Sequence, residues 1–491
     1  MWTTAAMRYP NSPAIGIGAE MPSFSRDFRG CRVLVWGLGR LGGGVGVTRW
    51  LVEQGADVTV MDRAAADNLS DSVASLDSLN VRYRLGTEDE ALLEAADIVI
   101  VNPAIDKARS SFFASLVRRG VPWTTELNLF LERCPAFSIG VTGTYGKSTT
   151  AAMTAAALSE NIGGAKPRGS TYADTSRGLK PRGSAYADAA AVFLGGNIGR
   201  SLLPDLQAMR ARDWAVIEMS DAQLEDLPRI DARPNVAVIT NVSLHHQSRH
   251  DSFEAYLAVK CRIVGDRGRT ETVVLGPMAD GVRGRILDRL RGTSLRVVCV
   301  DAASTAIELA LPGRHNQANA QTALALCRLL GVGEPAARSA LARFPGLPHR
   351  LQFVDTRGGV GFVNDSKSTS PSCTVAAVES FEQPLVVIVG GLEGQDALER
   401  CAATLVERCR AVICIGQSAR RYERALRLAS GGGTTPSLFH ADDVPRAVRL
   451  AASQAWPGDV VLFSPGAASY DHYPNFEARG EHFIRAVHSL P

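Results

Sequence analysis

Two glycine-rich turns in this chain have the residue types and spacing to hold phosphate. In FSIGVTGTYGKSTTAAMTAAAL, Gly143, Thr144, Gly146, Lys147, Ser148 and Thr149 separate an apolar run from a small-residue segment of helical type. A strand that ends in such a turn and enters a helix points backbone N–H groups and the positive helix end at one place, where an anion fits. Lys147 adds a mobile full charge for outer phosphates, and Ser148 offers a hydroxyl to a magnesium ion. The general phosphate-loop pattern asks for Gly where Val141 stands, and Gly140 lies one residue early. The second turn holds Gly37, Gly39 and Gly42 in G-x-G-x-x-G spacing, with Asp62 closing the next strand. That is a dinucleotide fingerprint with a ribose-binding acid, and Arg63 beside it would suit a ribose phosphate. The same turn receives any pyrophosphate, so NAD(P) and a nucleotide substrate both stay open for it.

Such turns need parallel strands to aim them. CRVLVWGLGRLGGGVGVTRWLVEQGADVTVMD reads as strand, turn, helix and strand, and ADIVIVNPA adds another strand. The rhythm restarts at Phe137 and runs through WAVIEMS, NVAVITNVS, ETVVLG and LRVVCV; a third set follows at PLVVIVGG, AVICIG and DVVLFSPG. β-Branched runs alternating with helical spacing predict parallel, doubly wound sheets. The expected fold is α/β with three domains. A flexible arm over 1–28 precedes a Rossmann-like domain over 29–134, a central P-loop-type ATPase domain with a mostly parallel sheet over 135–344, and a Rossmann-like C-terminal domain over 345–491. The last boundary falls at FPGLPHRLQFV, rich in Pro and Gly. A direct repeat, KPRGSTYAD then KPRGSAYAD, marks an insertion at about 163–190. Two copies are too few for a solenoid, and a long surface loop adds little closure entropy. A basic lid over an anionic ligand is the other reading of it.

A chain of 491 residues suits about two to four domains. Its apolar content, 45%, is ordinary, and no run reaches the roughly 20 apolar residues of a membrane span, so no membrane partner is expected. Residues 1–28 mix Pro, Ser, Gly and charge without an apolar segment of signal length, so export is not expected. Nine cysteines, an odd number without a CxxC pair, point to reduced thiols in a cytoplasm rather than disulfides or zinc. A net charge of +3 with scattered arginines gives no reason to expect nucleic acid.

Taken together, GVTGTYGKSTT, GGNIGRSL, IEMSDAQLE, the NVS…RH segment with YLAVKCRI, GRHNQANA, GLPHRLQFV, NDSKST and SPGAASYDHYPNFEARG resemble, in order and spacing, the Mur ligase family, in the branch that adds glutamate. The resemblance implies ATP-dependent amide formation. ATP turns a carboxylate into an acyl phosphate, and an amine then displaces phosphate. Both reactants of the first step are anions, so the site must supply positive charge. The resemblance further implies UDP-N-acetylmuramoyl-L-alanine as the carboxylate substrate, glutamate (first choice the D-isomer) as the amine, ATP and Mg2+ as cofactors, and a cytoplasmic monomer. By resemblance, Gly37, Gly39, Asp62, Arg63, Asn102, Asn197, Ser220 and Gln223 hold the nucleotide sugar. Asn316, Arg350 and Asp365 join the Lys147 turn around ATP. Lys147, His246 and Lys260 form the catalytic set, and Ser148, Glu218, His246 and Lys260, the last as a carbamate, ligate magnesium. Magnesium takes oxygen ligands and keeps several waters. Glu218 ends a strand, where a parallel sheet meets its ligand crevice, and Lys260 lies on a segment with Phe253, Tyr256, Leu257 and Ile263 at helical spacing. Closure of the third domain would exclude water from an acyl phosphate that water destroys.

Three departures from the family pattern keep rivals open. Tyr145 stands for an Asn, and a bulky residue resists left-handed backbone angles. Leu244, His245 and Ser248 stand where acidic or amide groups flank His246. Gly394, in GGLEGQD, takes the place of a lysine that by resemblance joins Lys367, Thr369, Ser469 and the backbone at Phe476 around the two carboxylates of glutamate. Such a charge-assisted contact is worth about 1.5–3 kcal/mol. The rivals are the same ligase chemistry with L-glutamate or another amino acid, a non-catalytic relative that binds nucleotide sugar, and an NAD(P) oxidoreductase. The last leaves Lys147 without a role.

Overall fold

The computed structural model of the chain describes residues 27–39, 42–161, 168, 191–243, 250, 252–265, 270–301, 306–311, 313–394, 396–431, 433 and 436–491. The arm up to residue 26, the repeat over 166–188 apart from Arg168, and Leu244, His245, His246 and Ser248 lie outside the described residues.

Apolar β-branched runs form the strands of three sheets. The first sheet holds β1 (Arg32–Trp36), β2 (Asp57–Asp62), β3 (Val81–Leu85), β4 (Ile98–Val101) and β5 (Trp123–Thr124) in the order β3-β2-β1-β4-β5, with every pairing parallel. The second holds β6 (Phe137–Thr142), β7 (Val192–Gly196), β8 (Trp214–Glu218), β9 (Val236–Ile239), β10 (Thr272–Leu275) and β11 (Arg296–Cys299) in the order β11-β10-β9-β6-β8-β7, again all parallel. The third holds β12 (Gln352–Arg357), β13 (Val360–Asn364), β14 (Leu385–Gly390), β15 (Cys409–Ile415), β16 (Ser437–Ala441) and β17 (Val460–Phe463) in the order β12-β13-β17-β14-β15-β16. Only the edge pair β12 and β13 is antiparallel there. Central strands such as β4 and β14 are buried at every residue, as helices on both faces of a parallel sheet require. The α/β class expected from the sequence is the observed one. The short strands β3, β5, β7, β12, β13 and β16 add to those read from apolar runs; β3 shows why, since its residues alternate between half-buried and exposed.

The described chain divides into two compact units, one carrying the first two sheets and the other the third. All nine cysteines are free thiols. Among the described residues no helix is long and apolar enough to cross a membrane.

Within the first unit, small and polar residues seat the first sheet against the second. A Cβ at Gly46, in the helix Gly43–Glu53, would stand 2.4 Å from the Ser201 Cβ, so this approach requires glycine. Ser201 donates its hydroxyl to Glu126 Oε1 at 2.5 Å, Asn128 Nδ2 donates to the Asp226 carbonyl at 2.9 Å, and Lys107 pairs with Asp226 at 2.9 Å. Burial pushes the Glu126 carboxyl up to about 7, against the opposing Ser201 bond. A carboxyl whose folded pKa is raised binds a proton in the folded state that the unfolded chain has already lost. Stability therefore falls as pH rises from about 4.5 to 7 and stays level above that, by at most about 3 kcal/mol. Glu126→Gln keeps an acceptor for Ser201 and removes the titration. Thermal melts of the variant should lose this component of the pH slope between pH 4.5 and 7; an unchanged slope would show that Glu126 is not its source.

Candidate active site

In the first sheet the strand order reverses between β1 and β4, and a doubly wound sheet offers its ligand crevice at such a point. The loops that leave these two strands carry Gly37, Gly39 and Asn102 of the predicted nucleotide-sugar residues, and Asp62 and Arg63 stand at the end of β2. Gly37, Gly39 and Gly42 all have left-handed backbones, with φ of 93°, 63° and 84°. A Cβ at Gly37 would stand 2.7 Å from the Asn102 Cβ. Asn102 donates Nδ2 to the Gly37 carbonyl at 3.0 Å and accepts from Ala104 N at 2.9 Å. Asp62 accepts from Gly39 N at 3.1 Å and from Ala64 N at 2.9 Å. Arg63 pairs with Glu88 at 2.6 Å, and Glu88 also accepts from Trp36 Nε1 at 2.9 Å. Sequence reasoning gives no role to Glu88.

In the second sheet, the turn after β6 enters the helix Lys147–Asn161. Its positive backbone angles fall on Gly143 and Gly146, at φ of 147° and 76°, while Tyr145 lies outside the left-handed region. The obstacle raised by a bulky residue at 145 is thus removed by the glycine that follows it. Asn241, after β9, holds the turn. Its carbonyl accepts from Thr144 N at 2.9 Å, its Oδ1 from Tyr145 N at 3.0 Å, and its Nδ2 donates to the Tyr145 carbonyl at 3.0 Å. Thr240 donates to the same carbonyl at 2.6 Å. Lys147 folds back to donate Nζ to the Thr144 carbonyl at 2.9 Å, Ser148 is buried in the first helical turn, and Thr149 is half-buried beside it.

Glu218 and Lys260 are both 1% exposed. Glu218 closes β8 and accepts from Asn197 Nδ2 at 2.8 Å. Lys260 lies in the helix Phe253–Cys261, capped by Ser252, with Nζ 3.5 Å from Thr142 Oγ1, 4.0 Å from Asp221 Oδ1 and 5.1 Å from the Tyr256 ring centroid. Burial, helped by the Lys147 charge and opposed by Asp221 and Glu218, brings the Lys260 ammonium down to about 7. Lys147 and Glu218 thus both act electrostatically on Lys260. His246, the fourth member of that group, lies outside the described residues. Ser220 and Gln223 form a reciprocal cap at the start of the helix Asp221–Asp226, with Ser220 N donating to Gln223 Oε1 at 2.9 Å and Gln223 N to Ser220 Oγ at 3.2 Å. Asp221 Oδ2 meets His250 Nε2 at 2.9 Å, and Asp221 Oδ1 faces Lys260, so this helix is tied to the one bearing the lysine. Neither Asp221 nor His250 stands out from sequence.

Among the described residues, no group of three or more His, Cys, Asp or Glu side chains is gathered for a metal ion. Glu218 and Ser148 are buried oxygen donors of the kind that suits magnesium, which retains several of its own waters.

In the second unit Asp365, Lys367 and Thr369 follow β13, Ser469 and Phe476 follow β17, Arg350 precedes β12, and Asn316 lies on a helix. Asp365 accepts from Ser464 Oγ at 2.8 Å and from Leu351 N at 3.2 Å, and burial raises its carboxyl to about 7 against these bonds and the Arg350 charge. Arg350 sits between His349 and Leu351, the non-glycine residues with left-handed backbones among those described, at φ of 60° and 42°. Lys367 donates its backbone N–H to the His349 carbonyl at 3.0 Å and sets Nζ 5.2 Å from the Phe476 ring centroid. Thr369 is exposed, Ser469 is buried, and Phe476 opens the helix Phe476–His488. Asn316 is buried near the start of the helix Arg314–Leu329. Sequence reasoning misses Arg479. Its Nε donates to Ser366 Oγ at 3.1 Å, Nη1 to the Ala467 carbonyl at 2.9 Å and Nη2 to the Ser366 carbonyl at 2.8 Å, joining the loop after β13 to the loop after β17.

Family models match this chain in three places: Mur ligase MurD-like, N-terminal domain, over residues 31–123; Mur ligase middle domain over 141–280; and Mur ligase, glutamate ligase domain over 349–466. A UDP-N-acetylmuramoylalanine--D-glutamate ligase of Pelotomaculum thermopropionicum is 32% identical, covering 95% of this chain and 99% of its own. The chain belongs to the Mur ligase family. A second D-glutamate ligase, from Anaeromyxobacter dehalogenans, is 34% identical over 94% of this chain and 98% of its own. The fold is shared with the UDP-N-acetylmuramate-alanine ligase MurC of Thermotoga maritima, with a TM-score of 0.57 at 16% identity over 94% of this chain and 99% of that one. It is shared too with an ADP-complexed folylpolyglutamate synthase of Mycobacterium tuberculosis, with a TM-score of 0.51 at 18% identity over 74% and 93% of the two chains.

In this Mur ligase the turn at Arg350 depends on a glycine far along the chain. A Cβ at Gly480 would stand 2.2 Å from His349 Nδ1, the atom that meets Asn364 Nδ2 at 3.0 Å. Gly480→Ala should displace His349, lower unfolding stability by about 1–3 kcal/mol in denaturant melts, and, where Arg350 and Asp365 serve ATP as the resemblance implies, raise KM for ATP. Wild-type stability together with an unchanged KM for ATP would show that the turn does not depend on this contact.

Proposed function

We propose that this Mur ligase joins D-glutamate to UDP-N-acetylmuramoyl-L-alanine, at the expense of ATP, in the synthesis of a peptidoglycan precursor. The observation that carries the reading is that Glu218 pairs in register with Val141 at the end of β6, Lys260 Nζ lies 3.5 Å from Thr142 Oγ1 in the same strand, and the turn that follows carries Lys147. The reaction brings a triphosphate and a carboxylate together, and two neighbouring cations are what that encounter needs. The relatives' names supply the substrates: both D-glutamate ligases cited above are matched over nearly their whole length.

The backbone N–H groups at Gly146, Lys147 and Ser148 and the Lys147 ammonium hold the outer phosphates, while those of Thr144 and Tyr145 are bonded to Asn241 and fix the turn. The substrate carboxylate oxygen attacks the terminal phosphorus, ADP leaves, and an acyl phosphate forms. The glutamate amine, after losing a proton, then attacks the acyl carbon, and inorganic phosphate departs as the bond from that carbon to the bridging oxygen breaks. Gly37, Gly39, Asp62, Arg63 and Asn102 receive the nucleotide sugar, with Asn197, Ser220 and Gln223 on the side of Glu218. Asn316, Arg350 and Asp365 serve ATP, and Lys367, Thr369, Ser469 and the backbone at Phe476 serve glutamate.

Magnesium, when bound, neutralises charge on the phosphates during transfer. Ser148 and Glu218 would hold it, with His246 and the carbamate of Lys260 as further ligands. Carbamate formation needs a neutral amine, and a lysine brought to about 7 provides one in quantity near neutrality, where an exposed lysine does not. Nine free thiols and the use of ATP fit a cytoplasmic enzyme, which acts as a monomer.

The test is phosphate release with ATP, magnesium and UDP-N-acetylmuramoyl-L-alanine across a panel of amino acids. Turnover is expected with D-glutamate and not with L-glutamate; the reverse preference would replace the substrate, and silence with every amino acid would leave only a nucleotide-sugar-binding protein. Lys147→Ala should lower kcat by about two to three powers of ten, the usual loss when one preorganised donor to developing charge is removed. A variant within about threefold of wild type would separate Lys147 from the chemistry, since that is far below the loss such a donor carries.

A further inference from the structure

Glutamate presents two carboxylates, and each must meet a cation or several N–H donors when it leaves water. In the second unit the loops after β13, β14 and β17 bring Lys367, Gly394 and Ser469 to the same end of one sheet. Among the described residues, Arg479 and Arg421 donate guanidinium hydrogen bonds to these loops. Arg479 is 1% exposed and is engaged at Nε, Nη1 and Nη2 with Ser366 and Ala467, so it braces the loops from beneath.

Arg421 is placed differently. It lies in the first turn of the helix Ala419–Ala429, half-buried, and this helix is joined to the loop after β14 by Ser418. Gly391 N donates to Ser418 Oγ at 3.0 Å, and Ser418 N donates to the Gly391 carbonyl at 2.9 Å. From that anchored position Arg421 donates Nη1 to the Gly394 carbonyl at 2.7 Å and Nη2 to the Asp396 carbonyl. Both acceptors are neutral, so the full positive charge is retained. A guanidinium has five N–H donors, and these two bonds leave three in a planar fork that matches a carboxylate. At Gly394 there is no side chain, and a Cβ there would meet nothing within 4 Å. The guanidinium from the neighbouring helix thus lies against the backbone of the position where the resemblance expects a lysine.

We propose that Arg421 binds one carboxylate of the amino-acid substrate and sets the preference for a dicarboxylic acid. This rests on the glutamate-ligase reading above. The contact is bidentate or nearly so, and it discriminates against substrates that carry an amide in place of the acid, because an amide offers the fork one acceptor and no charge.

The test varies D-glutamate, ATP and UDP-N-acetylmuramoyl-L-alanine separately in phosphate-release assays on wild type, Arg421→Ala and the double variant Arg421→Ala with Gly394→Lys. Arg421→Ala should raise KM for D-glutamate about ten- to a hundred-fold, shift KM for ATP and for the nucleotide sugar less than about twofold, and narrow the preference for D-glutamate over D-glutamine. The double variant should recover most of the D-glutamate affinity, since a lysine at 394 restores the charge without restoring the bonds to the loop. An unchanged KM for D-glutamate would overturn the assignment. So would an equal rise for all three substrates without recovery in the double variant, because that pattern marks a loop brace. Wild-type protein silent with every acidic amino acid would instead sink the ligase reading itself, so the two failures are told apart.

Discussion

Two lysines within electrostatic reach of each other, one half-buried and the other wholly buried, are the constraint on the candidate site of the first unit. Each ammonium loses hydration on burial and repels the other, and the pair persists only where something nearby offsets both penalties. Here the offsets are specific. Lys147 lies against the Thr144 carbonyl; Lys260 has Thr142, Asp221 and the face of Tyr256 around it, and the Glu218 carboxylate within electrostatic reach. The consequence is that burial, which outweighs the pull of Asp221, Glu218 and Glu225, holds Lys260 near the point where its proton comes off at neutral pH. An anion bound beside Lys147 would shift that balance towards the ammonium, so the protonation of Lys260 would respond to charge at the turn.

The scaffold that keeps these charges in register consists of contacts between residues far apart in the chain. Asn241 and Thr240 hold the phosphate turn by its backbone at Tyr145, whose side chain faces solvent, 38% exposed. His250 and Asp221 bind the helix that carries Lys260 to the helix that follows Glu218. In the second unit Arg479 does comparable work. Burial lowers its guanidinium to about 10, against the pull of Asp471 and other neighbours, yet it stays cationic at neutral pH and donates to the two loops on either side. A buried cation with its donors matched to carbonyls is a rigid joint, since removing any one acceptor would leave charge uncompensated.

The parts legible in the sequence are those that chemistry compresses into a few neighbouring residues. A glycine turn between a strand and a helix announces itself, and so Gly37 to Gly42 and Gly143 to Thr149 are found by spacing alone. Glu218 is visible because an acid that ends an apolar strand has few places to go but the crevice. Long apolar strands such as β4 and β14 are visible for the same reason, whereas β3 and β12 carry half-exposed edges whose alternation is too brief to separate from a loop. Asp221 with His250, Asn241 beneath Tyr145, and Arg479 with Ser366 are not legible, because their partners lie 29, 96 and 113 residues away. Arg421 is hidden for a further reason: it reads as one of several arginines on an amphipathic helix, and only the fold brings it to the loop of Gly394. Tyr145 shows the converse error. Considered by residue type it looks like a backbone problem, but the left-handed angle belongs to Gly146.

The turn at His349 and Leu351 raises the question of why a chain with so much regular structure tolerates two left-handed non-glycine residues in three positions. Each such residue costs about 1–3 kcal/mol and persists only where its surroundings over-determine it. They do so here. His349 gives its carbonyl to Lys367 N and meets Asn364 through its ring, while Leu351 gives its N–H to Asp365. The strained residues thus bracket Arg350 and are bonded to the loop that bears Asp365 and Lys367, so the side chains assigned to ATP and to the amino acid are fixed by the same three contacts. Relaxing the turn to ordinary angles would break those contacts together. Strain at this point keeps Arg350 at one spacing from the loop that carries Asp365 and Lys367, and it is sustained by the absence of a single methyl group at Gly480.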